Sequence, residues 1–149
     1  MRVWGHPIHP MLVHFPIAFW TVSVGAYVSS AAGVGEPAAG IAKLANGAGL
    51  IMAMFAMVAG LLELPSIDSR SEAMRVATWH MMIMAAAWVC FLLALVLPIS
   101  AEAAMDQSFA SLAAAASATL GFVLMTVGGR LGGRLVYELG IGVRDQAKS

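Results

Sequence analysis

The chain has 149 residues, of which 60% are apolar and only 11% carry a charge. Soluble domains carry about 25% charged residues, so this chain has too few polar side chains to cover a water-exposed surface. The formal net charge is zero, which argues against nucleic acid as a partner. A single cysteine, Cys90, excludes a disulfide framework. The composition therefore indicates an integral membrane protein in a lipid bilayer.

Four segments are apolar enough to cross about 30 Å of hydrocarbon as helices of roughly 20 residues. They cover residues 11–32, 41–62, 76–97 and 108–127. Ser69 and Glu72 have capping-box spacing, so the third helix should begin about one turn before Val76. Short connections join antiparallel neighbours. We therefore expect one all-α transmembrane domain over residues 1–149, folded as a four-helix up-down bundle.

Basic residues are distributed unevenly between the two sides of such a bundle. An even number of spans places both termini and the middle loop on one side, which holds seven Lys and Arg residues. The opposite side holds only Lys43. The positive-inside rule therefore predicts that both termini face the cytoplasm.

Two histidines, His14 and His80, lie inside the predicted spans. An ionisable side chain within a span is costly and is a candidate for function. The first and third helices run in the same direction, and each histidine lies about one turn from the start of its helix. We therefore expect two imidazoles at one depth, facing each other across the bundle axis. This arrangement predicts one bis-histidine haem b near the cytoplasmic face, with His14 and His80 as axial ligands.

Small and basic residues are expected to complete the haem site. Glycines at the predicted ends of the second and fourth helices would leave room for a porphyrin edge; these are Gly60, Gly128 and Gly129. Arginines just beyond them would pair with the haem propionates; these are Arg75, Arg130 and Arg134.

Two other interpretations stay open. His6 and His9 each precede a proline, which favours an extended lead-in to the first helix. If this lead-in folds over the bundle, His6, His9, His14 and Glu63 could form a zinc or iron site. The third interpretation is a structural or assembly subunit of a membrane complex that binds no cofactor.

Two segments resemble the signatures of a bacterial membrane family, domain of unknown function 2231. Residues 6–18 (HPIHPMLVHFPIA) resemble its opening signature, and residues 132–143 (GGRLVYELGIGV) resemble its closing one. The tail signature often carries a histidine where this chain has Leu139, so no ligand role is expected there. The resemblance covers almost the whole chain and implies a multi-pass protein of the bacterial inner membrane.

The family is similar in layout to the membrane domains of b-type cytochromes, and relatives occur joined to electron-transfer modules. The resemblance therefore implies a redox subunit rather than a stand-alone enzyme. A single haem near one face cannot carry electrons across the bilayer, so a quinone or another redox subunit is the expected exchange partner.

Overall fold

The computed structural model describes residues 2–3, 6–101 and 107–142, with side chains described for residues 8–98 and 108–142. Two short strands, β1 (Arg2–Val3) and β2 (His6–Pro7), pair antiparallel at the start. Five α-helices follow: α1 (Ile8–Leu12), α2 (His14–Ser29), α3 (Glu36–Glu63), α4 (Glu72–Ala101) and α5 (Gln107–Tyr137). A π-helical turn, Ser30–Val34, extends α2, and a 3₁₀ turn, Leu64–Ser66, follows α3.

Within the described residues, four stretches are long and apolar enough to span a membrane: Ile8–Val34, Glu36–Ser66, Glu72–Pro98 and Ser108–Tyr137. The four-span prediction is confirmed. Within the bundle α2 packs mainly against α3, and α4 packs mainly against α5. Further contacts join α2 to α5 and α3 to α4. The helices therefore form a closed up-down bundle in which α2 and α4 are diagonal neighbours.

The first span begins earlier than predicted, and this places His9 in a helix. The expectation that His9 lies in an extended lead-in was wrong, because α1 covers Ile8–Leu12. Pro10 is tolerated there because the first turn of a helix needs no N–H donors. Pro16 cannot donate to the carbonyl of Leu12, which explains the interruption between α1 and α2.

The glycines of the last helix do not end it. The fourth span was predicted to stop at residue 127, but α5 continues through Gly128 and Gly129 to Tyr137. The prediction that Gly128 and Gly129 mark a helix end was therefore wrong, whereas Gly60 lies in the last turn of α3, close to the predicted end. Glycine is tolerated in membrane helices because the bilayer offers the backbone no alternative hydrogen-bond partner. A positive φ of 67° at Gly140 follows the true end of α5.

The third helix begins at Glu72, about one turn before Val76, as predicted. Its capping residue is Ser71 rather than Ser69. The hydroxyl of Ser71 accepts a hydrogen bond of 3.1 Å from the backbone N–H of Met74.

The two helical hairpins, residues 8–66 and residues 72–137, share one pattern of burial. Buried positions of α3 recur in α5 at a spacing of 72 residues; they are Ala38, Ala42, Asn46, Gly49, Ala53 and Ala56, matched by Ala110, Ala114, Ala118, Gly121, Met125 and Gly128. Buried positions of α2 recur in α4 at a spacing of 71 residues; they are Pro16, Trp20 and Ser23, matched by Ala87, Phe91 and Ala94. The molecule therefore consists of two copies of one helical hairpin, related as an internal repeat.

The two hairpins meet through equivalent residues. Trp20 stacks on its equivalent, Phe91, with ring centroids 4.3 Å apart and planes inclined by 6°. In a symmetric assembly, residues that contact their own equivalents lie on a two-fold axis. Since α2 and α4 run in the same direction, this pseudo-two-fold axis runs along the bundle, the arrangement of parallel repeats in membrane proteins.

A histidine pair between the two hairpins as candidate functional site

His80 lies on α4 and is half-buried against α5. Its Nδ1 is 2.8 Å from the backbone carbonyl oxygen of Gly128. A carbonyl oxygen can only accept a hydrogen bond, so we assign the ring proton to Nδ1. The lone pair of the neutral imidazole is then on Nε2, which stays available to a ligand.

His9 makes the equivalent contact in the first hairpin. The side chain is half-buried, and its Nδ1 is 2.7 Å from the carbonyl oxygen of Ala56 on α3. The same reasoning assigns the proton to Nδ1 and the lone pair to Nε2. Because Ala56 and Gly128 are equivalent in the repeat, as are His9 and His80, both hairpins orient an imidazole in the same way.

A glycine four residues after each carbonyl makes room for the imidazole. A Cβ atom added at Gly60 would lie 3.2 Å from Cε1 and Nδ1 of His9, and one added at Gly132 would lie 3.1 Å from Cε1 of His80. A helical side chain covers the turn before its own position, so glycine here exposes the carbonyl of the preceding turn. Sequence reasoning included Gly60 but missed Gly132, whose signal is its spacing of 72 residues from Gly60.

The two imidazoles contact each other across the pseudo-two-fold axis. The ring centroids of His9 and His80 are 6.3 Å apart, and the ring planes are inclined by 88°. Each histidine lies eleven residues before its partner in the Trp20–Phe91 stack, which corresponds to about 16 Å along a helix. The histidine pair therefore lies toward one end of the bundle, and the aromatic stack lies near its middle.

His14 occupies a different face of the first span. The structure pairs His80 with His9, whereas the side chain of His14 is exposed. Five helical residues correspond to a rotation of about 140° beyond a full turn, so two histidines at this spacing point in different directions. The expectation that His14 faces His80 across the bundle axis was wrong, because His9 takes that position in the structure.

The zinc or iron set does not assemble among the described side chains. No group of three or more His, Cys, Asp or Glu residues suited to a metal ion is found in the described part of the chain. Glu63 lies at the end of α3, and His14 faces outward. The side chain of His6 lies outside the described residues, so its expected role stays a prediction.

The other predicted site glycines take different places. Gly128 supplies the carbonyl that accepts from His80, and its Cα faces Met84: a Cβ added there would lie 2.6 Å from the Met84 sulfur. A Cβ added at Gly129 would meet nothing within 4 Å. Gly60 and Gly128 therefore belong to the histidine pair, and Gly129 lies apart from it.

Charged residues cluster at the same end of the bundle. Arg134 donates to Oε1 of Glu72 at 2.7 Å and to Oε2 of Glu138 at 3.1 Å. Arg75 lies 3.7 Å from the same oxygen of Glu72. Arg130 lines an open cavity of about 600 Å³ on the surface of α5 together with Arg134 and Tyr137. The predicted arginines thus share one rim, where two of them already pair with a carboxylate.

Comparison with known proteins identifies the family of this chain. Neither the search of curated proteins nor that of solved structures gives a match. A family model described as "Predicted membrane protein (DUF2231)" matches residues 5–145. The match includes both hairpins and both histidines of the pair, and it agrees with the resemblance of the opening and closing segments. The chain therefore belongs to the DUF2231 family of membrane proteins.

Proposed function

We propose that this membrane protein is a small electron-transfer subunit that binds one haem b between His9 and His80. The observation that carries the proposal is the arrangement of the pair. Both imidazoles donate through Nδ1 to a helix carbonyl, which leaves the Nε2 lone pair of each ring to a ligand, and the two rings are neighbours. Metal-binding histidines in proteins typically donate their second ring nitrogen to a carbonyl or carboxylate in this way.

The spacing of the rings fits ligation of one metal. An imidazole nitrogen lies about 2 Å from a bound metal, and the ring centroid lies about 1.1 Å behind that nitrogen. Two imidazoles on opposite sides of one metal therefore have centroids about 6.2 Å apart. The observed separation of the His9 and His80 rings is 6.3 Å.

The donor set favours haem over a bare zinc or iron ion. A bare ion needs further ligands, but no third His, Cys, Asp or Glu joins the pair among the described side chains. A porphyrin supplies four nitrogens of its own and needs only the two axial positions. Met84, one turn beyond His80 on α4, packs against Gly128, and its flexible side chain can adapt to a flat ligand.

In this account the protein binds and orients the group, and the haem iron supplies the one-electron chemistry when bound. The carbonyls of Ala56 and Gly128 fix the ring orientations. A haem held by His9 and His80 near one face would supply electron exchange with a quinone or another redox subunit on that face. The family resemblance supports a bacterial inner-membrane location, and the distribution of Lys and Arg supports an orientation with this face and both termini on the cytoplasmic side.

A visible spectrum tests the proposal. Protein produced with an adequate haem supply should show the sharp α-band of a reduced bis-histidine haem. His9→Ala and His80→Ala should each abolish the band, and His14→Ala should leave it unchanged because His14 points away from the pair. Circular dichroism verifies that each variant is folded. A missing band in the parent protein, or a band lost in His14→Ala and kept in His9→Ala, would refute the assignment.

The alternative function is that of a structural or assembly subunit without a cofactor. One observation favours it: each imidazole already joins two helices through its bond to a carbonyl. Under this alternative both alanine variants lower the thermal stability of the bundle, and no preparation shows a haem band.

A further inference from the structure

The middle of the bundle contains a small group of buried polar side chains. Asn46 on α3 is fully buried; its Nδ2 donates to the backbone carbonyl of Phe91 at 2.8 Å and to the hydroxyl of Tyr27 at 3.2 Å. Trp20 is also fully buried and stacks on Phe91. These residues lie about 16 Å deeper than the histidine pair, close to the centre of a bilayer whose hydrocarbon is about 30 Å thick.

Two atoms of this group lack a partner in the protein. Among the described side chains, Nε1 of Trp20 and Oδ1 of Asn46 are buried and make no hydrogen bond. One is a donor only and the other an acceptor only. Burying either without a partner is costly, and the cost is largest in a medium that contains no other polar groups.

Rotating the amide of Asn46 does not remove the problem. The carbonyl of Phe91 can only accept a hydrogen bond, so the atom 2.8 Å from it must be the amide nitrogen. Exchanging Oδ1 and Nδ2 would place two oxygens against each other. The acceptor Oδ1 is therefore fixed in its orientation by the backbone of α4.

The orphaned donor and acceptor lie on the same face of α3. The Trp20 indole packs over Gly49, where an added Cβ would lie 2.6 Å from Nε1. Gly49 is three residues from Asn46, and positions at this spacing are neighbours, with Cβ atoms about 5–6 Å apart on a helix. A donor and an acceptor at neighbouring positions of a helix can be joined by one small molecule with hydrogen bonds of about 2.8 Å on each side.

We propose that Trp20 and Asn46 bind one water molecule within the membrane-spanning core. The guest must accept a hydrogen bond from the Trp20 N–H and donate one to Oδ1 of Asn46, which is the chemistry of a hydroxyl group. Because both atoms are buried from solvent, the hydroxyl compound that fits is the smallest one, water. The equivalent residues in the second hairpin, Phe91 and Ala118, carry neither group. The water site therefore belongs to one hairpin alone, and it does not depend on haem.

Nuclear magnetic resonance of protein labelled with ¹⁵N-tryptophan tests this site. The indole N–H of Trp20, assigned by its loss in Trp20→Phe, should show a direct cross peak to a bound water. Trp88 provides an internal control, because its Nε1 already donates to the carbonyl of Leu50 at 3.2 Å and should show no such peak. Asn46→Leu should abolish the Trp20 cross peak and leave the Trp88 signal in place.

The Trp20 cross peak in the parent protein tests the water site even if Asn46→Leu does not fold. A Trp20 indole signal without a water cross peak overturns the proposal, as does a cross peak of equal strength at Trp88. A cross peak at Trp20 that persists in folded Asn46→Leu also overturns it, because the second ligand would then be another group.

Discussion

Trp20 and Phe91 are 71 residues apart in the chain, yet their rings lie parallel with centroids 4.3 Å apart on the pseudo-two-fold axis. Each ring also covers a glycine of the following helix, Gly49 for Trp20 and Gly121 for Phe91. The stack therefore joins the two hairpins at the level where each ring packs on a glycine of its own hairpin. Its position in the bundle fixes the relative rotation of α2 and α4, and hence the meeting of His9 and His80.

Gly49→Ala should destabilise the bundle strongly. The new Cβ would lie 2.5 Å from Cδ1 of Trp20, and the indole cannot retreat because Phe91 lies behind it. We expect a loss of about 2–3 kcal/mol, typical of overpacking a core. Thermal unfolding in detergent measures it, with Gly129→Ala as the control, since a Cβ there meets nothing within 4 Å. Equal stability of the two variants would contradict the packing described for the stack.

Gly132→Ala should weaken haem binding while leaving the fold intact. Its Cβ would lie 3.1 Å from Cε1 of His80, so the imidazole must shift away from the carbonyl of Gly128. Loss of such an orienting partner typically lowers metal affinity about 10–100-fold. A haem titration followed by absorbance measures the change.

Gly60→Ala supplies the reciprocal experiment in the first hairpin, because its Cβ would lie 3.2 Å from His9. The repeat predicts an effect of the same sign and of similar size to that of Gly132→Ala. Normal affinity in both variants would show that the ring positions do not matter for binding.

Arg134→Gln should change stability by less than about 1 kcal/mol, because the contacts of Arg134 with Glu72 and Glu138 are solvent-exposed. Thermal unfolding measures the change. In high salt the stability difference between the variant and the parent protein should become smaller still, since salt screens exposed ion pairs. A loss of several kcal/mol that is independent of salt would mean that this rim is buried in the functional assembly.

The orientation in the membrane has its own test. In a Cys90→Ser background, a cysteine replacing Asp68 should react with an impermeant maleimide only from the cytoplasmic side. A cysteine replacing Glu36 should react only from the other side. Both positions are exposed and lie in opposite connections of the bundle. Reversed labelling would contradict the positive-inside prediction.

Hydropathy was sufficient to predict the four spans and the bundle, because crossing hydrocarbon requires long apolar helices. It was harder to predict where the first helix begins and therefore which of its residues face the bundle interior. Choosing His9 rather than His14 requires knowing that the helix begins at Ile8, and the prolines at positions 7 and 10 argue against such an early start. Only the packing of α1 against α3 determines which histidine faces inward.

The internal repeat was also not predicted from the sequence. Most of its shared buried positions are alanines, which are abundant throughout the chain, and the two stacking residues are of different types, Trp20 and Phe91. The recurrence of Gly49 and Gly60 as Gly121 and Gly132 is the clearest trace. Its meaning depends on the aromatic or imidazole ring that each glycine accommodates, which the spacing alone does not reveal.

Electron paramagnetic resonance of the oxidised protein tests the central claim most directly, because it reports the ligands and the angle between their planes together. The imidazole planes of His9 and His80 are inclined by 88°, an arrangement that would leave two d orbitals of a bound haem iron nearly equal in energy. We therefore predict a strongly anisotropic low-spin haem signal that disappears in His9→Ala and persists in His14→Ala. A haem-free protein, or a rhombic signal typical of parallel imidazoles, would contradict the account.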